Sequence, residues 1–264
     1  MRRRPVFAAL CLLVASILVA PPPATADGAR VPGGLDAVGR LDIGGAGFCT
    51  ATLVGPALVL TAAHCLFRDG VPTPVDIDGL TFRAGLHFGQ EQARRRVRRM
   101  VVHPDYRPSP SPTRATIAAD LALLELDRAV GMPVAPLPVS GRLSAGERVE
   151  LVSYARLREH AAKRQDDCGV LVRGPQILVL TCDIDFGASG SPVFRPGPNG
   201  LSIASVVSAM TEVDGRRVAL AATVEAGIAP LMAEFARAPR NTPGAKTLRP
   251  GQDGGTIRRI RPGQ

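Results

Sequence analysis

Cysteine is scarce in this chain: five of 264 residues, alongside two tyrosines, two lysines and no tryptophan. So low a density excludes a miniature disulfide scaffold, and although Gly (28) and Pro (24) are plentiful, no Gly-X-Y period makes the chain collagen-like. No unit recurs at a period of about 20 to 50 residues, which excludes a solenoid or propeller array. No CxxC pair and no HExxH motif occurs, so the usual zinc signatures are missing and neither a metal nor another cofactor is expected. Beyond the N-terminal segment no apolar run approaches the roughly 20 residues that cross a bilayer. What is present is 45% hydrophobic and 21% charged, which is core-forming rather than disordered, and long enough for one large domain or two small ones.

The first residues read as a secretory signal peptide. Arg2, Arg3 and Arg4 precede Val6 to Ala20, where only Ser16 is polar, and Ala24-Thr25-Ala26 offers small residues for cleavage. A membrane anchor is the rival, but the run is short and Pro21-Pro22-Pro23 closes it. Residues 1–26 are therefore expected to be removed, leaving a secreted or periplasmic chain with no membrane span.

A formal charge of +9 suggests a nucleic-acid partner until its distribution is examined. Removing the three N-terminal arginines leaves +6, and six cations against Asp253 in residues 239–264 account for +5 of that. The body, 27–238, is close to neutral, so no specific nucleic-acid partner is expected. The Gly/Pro/Thr-rich tail has too little apolar content to offset its ordering entropy and is expected to be disordered; binding of anionic polymers is its functional alternative. The dense run Arg94, Arg95, Arg96, Arg98, Arg99 is expected to be a solvated strand face.

Cys11 leaves with the signal peptide, and Cys49, Cys65, Cys168 and Cys182 remain. An even number in an oxidising compartment points to two disulfides. Of the three possible pairings, Cys49 with Cys65 and Cys168 with Cys182 each close a short loop between adjacent strand-like segments. Loops of about 15 residues contribute roughly 3 kcal/mol each in the chain-entropy model.

Short apolar runs punctuated by Gly, Pro and Asp fill residues 41–224. Hairpins are expected around Gly55-Pro56, around residues 173–176 and around Asp214-Gly215, the last suited to a tight turn with positive backbone dihedrals. Many strands without helices between them indicate an all-β barrel or sandwich. One helix is expected near the end, with Ile228, Leu231, Met232 and Phe235 as its apolar stripe.

Three segments carry chemistry. Thr61-Ala62-Ala63-His64-Cys65 ends an apolar strand with a histidine beside a cysteine expected to be cross-linked. Asp120 opens the apolar run Leu121 to Leu126, and a carboxylate there must be satisfied by some donor, such as an imidazole N–H. Gly187-Ala188-Ser189-Gly190-Ser191-Pro192 presents a serine in a glycine-flanked turn where backbone N–H groups can face a substrate.

Together and in this order, TAAHC, DLALLEL and GASGSP resemble the trypsin and chymotrypsin family of serine proteases, and Val101 to Tyr106 resembles the segment preceding the family's aspartate. The chain order His, Asp, Ser differs from that of subtilisins and α/β-hydrolases. The resemblance implies an all-β fold of two six-stranded antiparallel barrels with a C-terminal helix over residues 27–238. It implies a serine endopeptidase acting on proteins or peptides, and a monomer. It implies Ser189 as nucleophile, His64 as general base, Asp120 as orienting carboxylate, and the N–H groups of Gly187 and Ser189 as the oxyanion hole. Cys49 and Cys65 match the family's histidine-loop disulfide.

Three departures qualify the match. Ala188 replaces the acid that pairs with a new α-amino group in digestive enzymes, so Arg30 to Gly34 is not expected to be an activation junction. Ser191 gives the GxSGSP pattern of bacterial glutamyl-endopeptidase-like relatives. Cys182 lies seven residues before Ser189, which alters the loop lining the primary pocket. By the same resemblance Asp183, Ser208 and Met210 are substrate-binding candidates, with Met210 where a glycine would leave the pocket open. A catalytically silent binding module on the same fold is the alternative function.

Overall fold

The computed structural model describes residues 35–68 and 71–239. The expected signal peptide, and the tail beyond Pro239, lie outside those residues. Two closed antiparallel barrels of six strands each make up the fold, as the resemblance implies. The first contains β1 (Val38–Ile43), β2 (Phe48–Gly55), β3 (Leu58–Thr61), β4 (Leu80–Ala84), β5 (Ala93–Val102) and β6 (Ala122–Leu126), closed in the order β1-β2-β3-β6-β5-β4. The second contains β7 (Arg148–Ser153), β8 (Lys163–Arg173), β9 (Ile177–Leu180), β10 (Pro192–Gly197), β11 (Gly200–Val213) and β12 (Arg216–Thr223), closed in the order β10-β11-β12-β9-β8-β7. Residues 127–147 connect them.

Period-two patterning explains the strands. In β4, Leu80, Phe82 and Ala84 turn inward while Thr81 and Arg83 face outward. Leu41, Leu53, Leu60 and Leu123 meet Phe82 in the first core, and Leu151, Leu178, Leu180, Val193 and Ala221 fill the second. All three expected hairpins are present, β2 with β3, β8 with β9 and β11 with β12. Asp214 (φ 50°) and Gly215 (φ 75°) both adopt the left-handed region at the last of these.

Among the described residues two α-helices accompany the barrels. The short α1 (Arg114–Ala118), capped by the Thr113 side chain, was not expected from the sequence. The C-terminal α2 (Val224–Arg237) packs on β5, β6 and β11. Its buried stripe is Val224, Gly227, Leu231 and Glu234, flanked by Ile228 and Phe235. Met232, expected in that stripe, is 43% exposed, because the helix is rotated toward its glycine face. A Cβ at Gly227 would lie 2.4 Å from Leu121 Cδ1, so the absent side chain lets α2 press directly behind the residue following Asp120.

The arginine run is a solvated face only in part. Arg94, Arg96 and Arg98 are exposed, but Arg99 is buried. Its guanidinium lies 3.8 Å from the Phe235 ring centroid, donates to the carbonyls of Phe235 (3.2 Å) and Ala238 (2.8 Å), and pairs with Glu125 at 2.7 Å. One strand arginine thus anchors the end of α2.

Candidate active site

His64 sits on a single 3₁₀ turn, Ala63–Leu66, that ends β3. The turn is fixed from both sides. Cys65 is cross-linked to Cys49 on β2, with Cα atoms 6.4 Å apart. On the other side the His64 backbone N–H donates to Asp120 Oδ1 at 2.8 Å. Its ring Nδ1 lies 2.7 Å from Asp120 Oδ2.

Asp120 is 2% exposed, and an unsatisfied carboxylate at that depth would be costly. It accepts three hydrogen bonds, the third from Ser208 Oγ at 2.5 Å. Ser208 occupies a β-bulge: Val207 pairs with Ala221 and Ala209 with Leu220, leaving Ser208 out of register. The bulge turns its side chain from the sheet toward the carboxylate. The hydroxyl of Ser208, a substrate-binding candidate, is thus engaged with Asp120.

Burial of the His64 ring works against its protonation, but the charge of Asp120 and the hydrogen bond to it outweigh that penalty. Its pKa is raised above the ordinary histidine value. The side chain is nevertheless 35% exposed, so part of the ring is reachable from solvent. Cys49 and Cys65 offer sulfur atoms within 4.8 Å of His64, yet both are consumed in the disulfide and supply no thiolate to a metal.

The serine turn is held by the opposite barrel. Thr50, buried on β2, donates its N–H to the Ser189 carbonyl (2.8 Å) and its hydroxyl to the Gly187 carbonyl (3.0 Å). Tyr154 N–H donates to the same hydroxyl at 3.0 Å. Within the turn, Ala188 N–H donates to Asp185, Gly190 N–H to Val207 and Ser191 N–H to Ala188. Among the described residues the N–H groups of Gly187 and Ser189 have no backbone acceptor. These are the two groups expected to form an oxyanion hole.

Both flanking glycines are required. Gly187 has φ 94°, and a Cβ there would meet the Phe48 ring at 2.3 Å. Gly190 has φ 82°, and its Cβ would meet the Thr50 carbonyl oxygen at 2.2 Å. Thr50 and Phe48 were not singled out in the sequence; a threonine buried amid an apolar strand was the available signal for the first.

His64 and Ser189 line one cavity of about 600 Å³, together with Ile43, Phe48, Phe67, Val75, Phe186 and the disulfide. Ser189 Oγ makes no hydrogen bond to His64 within 3.5 Å among the described residues, the loose arrangement often found before substrate binds. A second cavity, about 340 Å³, also borders His64 and is lined by Tyr106, Pro110, Thr116, Asp120, Ser208 and Ala209.

A family model described as trypsin-like peptidase domain matches residues 45–199. The chain belongs to the trypsin-like peptidase family. It is a serine-type peptidase. Among solved structures, a thermostable serine protease from an extremophilic microorganism aligns at 17% identity with a TM-score of 0.61, over 76% of this chain and 98% of that one. A Glu endopeptidase aligns at 16% identity with a TM-score of 0.62, over 80% and 93%. At such identities these neighbours share the fold.

In this trypsin-like peptidase the remaining substrate-binding candidates stand apart from both cavities. Asp183 is exposed, and its backbone exchanges hydrogen bonds with the Gln165 side chain at 2.7 and 3.0 Å. Its carboxylate, with that of Asp185, acts electrostatically on Arg158, whose pKa burial lowers on balance. Met210 is half-buried and packs against the second core, which includes Ile184, Ala188 and Ala219. The second disulfide, Cys168–Cys182, fixes the start of this segment against β8.

Proposed function

We propose that this peptidase is an exported serine endopeptidase that cleaves peptide bonds through an acyl-enzyme on Ser189. His64 Nε2 takes the Ser189 proton as Oγ attacks the carbonyl carbon, then returns it to the departing amine. Asp120 keeps Nδ1 protonated and stabilises the imidazolium, with Ser208 sharing its charge. The N–H groups of Gly187 and Ser189 receive the oxyanion, where a single donor is typically worth about 3 kcal/mol. Two disulfides suit an oxidising compartment, which supports the export reading.

One observation carries the proposal: a buried, triply bonded Asp120 lies 2.7 Å from a partly exposed imidazole that shares a cavity with Ser189, whose own N–H and that of Gly187 have no backbone acceptor among the described residues. A fluorophosphonate probe is expected to label the wild type stoichiometrically and to leave Ser189→Ala unlabelled. Equal labelling of the two removes Ser189 as nucleophile. No labelling of either supports the binding-module reading.

A further inference from the structure

We propose that this peptidase selects substrates chiefly on the leaving-group side of the scissile bond, seating an aromatic or large aliphatic residue followed by an acidic one in the cavity between Phe48, Phe67 and Phe186. The inference rests on Ser189 being the nucleophile and adds to it the chemistry of the substrate.

Direction comes first. With the acyl oxygen at the Gly187 and Ser189 N–H groups, two flanking features remain for the rest of the substrate. One is the edge of β11 beyond Val206, where pairing with β10 ends and Ser208 and Ala209 line the smaller cavity. An extended acyl chain adds there as a strand. The departing amine then points the other way, across His64 and over the Cys49–Cys65 disulfide, into the larger cavity.

The chemistry of that cavity is specific. Ile43 and Val75 are buried in its wall, Phe48 and Phe67 are half-buried, and Phe186 is 66% exposed although it borders the reacting serine turn. Apolar surface left open at such a place is free to be covered by substrate. Among the described residues its charged lining is Arg68 and Arg156, with no Asp or Glu. Arg156 leans over the Phe186 ring at 5.0 Å and pairs with Asp185 at 3.4 Å, an arrangement that keeps the guanidinium beside the aromatic wall. An apolar floor with cationic borders complements an apolar residue joined to an acid. The acyl side has less to offer, since Met210 lies against the core there.

Acyl transfer measures this side alone. The full-length peptidase is acylated with p-nitrophenyl acetate, and the acyl-enzyme partitions between water and an added dipeptide amide. In capture, the amine nitrogen bonds to the acyl carbon, the bond from that carbon to Ser189 Oγ breaks, and the amine proton passes through His64 to Oγ. Phe-Asp amide is expected to capture the acyl group at least about tenfold better than Gly-Asp amide, and about two- to fivefold better than Phe-Lys amide. Arg156→Glu is expected to invert the Asp-over-Lys ratio. If that variant does not fold, the wild-type ratios decide alone. A nitrophenol burst followed by equal capture of all three amides overturns this inference while leaving Ser189 as nucleophile. Absence of a burst overturns both.

Discussion

Thr50 donates its backbone N–H to the carbonyl of Ser189 at 2.8 Å, joining strand β2 of the first barrel to the glycine-flanked serine turn of the second. The same residue's hydroxyl bonds the Gly187 carbonyl and accepts from Tyr154 N–H. One buried threonine therefore aligns the two halves of the site, since His64 is tied to β2 by the disulfide and Ser189 by Thr50.

Thr50→Val keeps the shape but removes the hydroxyl. It leaves the buried Tyr154 N–H and Gly187 carbonyl without that partner, a loss of about 1–3 kcal/mol. Denaturant unfolding is expected to show that decrease, and kcat/KM to fall by more than tenfold in folded enzyme as the turn loosens. Full activity in a destabilised variant would confine Thr50 to structure.

The pH dependence follows from the raised pKa of His64. A general base must be neutral, so activity is lost as pH falls through a value above the ordinary histidine one. Asp120→Asn removes the attraction that raises it, and the acidic limb of kcat/KM is expected to move down while its plateau falls by several powers of ten. The linkage to stability has the opposite sense. Because the folded value exceeds the unfolded one, the charged pair contributes stability fully below the unfolded value and loses it as pH rises through the folded one. The stability difference between wild type and His64→Gln should therefore shrink as pH rises through the raised His64 value.

Much of this site was readable in the sequence because its parts are local. His64 with Cys65, Asp120 with its apolar strand, and Ser189 between glycines each lie within a few residues of the features that identify them. Thr50 was not, because its partners lie 104 and 137 positions away. The bond from Ser208 to Asp120 was hidden for another reason: a bulge decides where its hydroxyl points, and a bulge leaves no mark in period-two patterning. Arg99 sits in a run whose neighbours are solvated, and only the return of α2 buries it. The altered spacing between Cys182 and Ser189 left Asp183 exposed, outside both cavities beside the reacting groups.

Gly187 is constrained by two separable effects. Gly187→Ala is expected to cost at least about a hundredfold in kcat/KM, since it displaces a donor worth about 3 kcal/mol. Adding Phe48→Ala relieves the 2.3 Å clash but not the strain of an L-residue at φ 94°, so only partial recovery is expected. Complete recovery would assign the whole effect to the ring, and no recovery would assign it to the backbone.

Arg99 offers a test of how the C-terminal helix is held. Its guanidinium stacks on Phe235, donates to two terminal carbonyls and pairs with Glu125, while Arg98 also pairs with Glu125. Arg99→Met keeps much of the stem but breaks all four contacts. Removing one partner of a buried ion pair typically costs about 3–5 kcal/mol, and the companion Arg98 should hold the loss toward the lower figure. Because α2 presses on Leu121 through Gly227, its detachment loosens the strand that presents Asp120. Hydrogen exchange is expected to accelerate over Val224–Arg237 first, and kcat to fall only when protection at Leu121 is also lost. Rapid exchange in α2 with unchanged protection at Leu121 would mean that the helix covers the barrels without bracing the carboxylate.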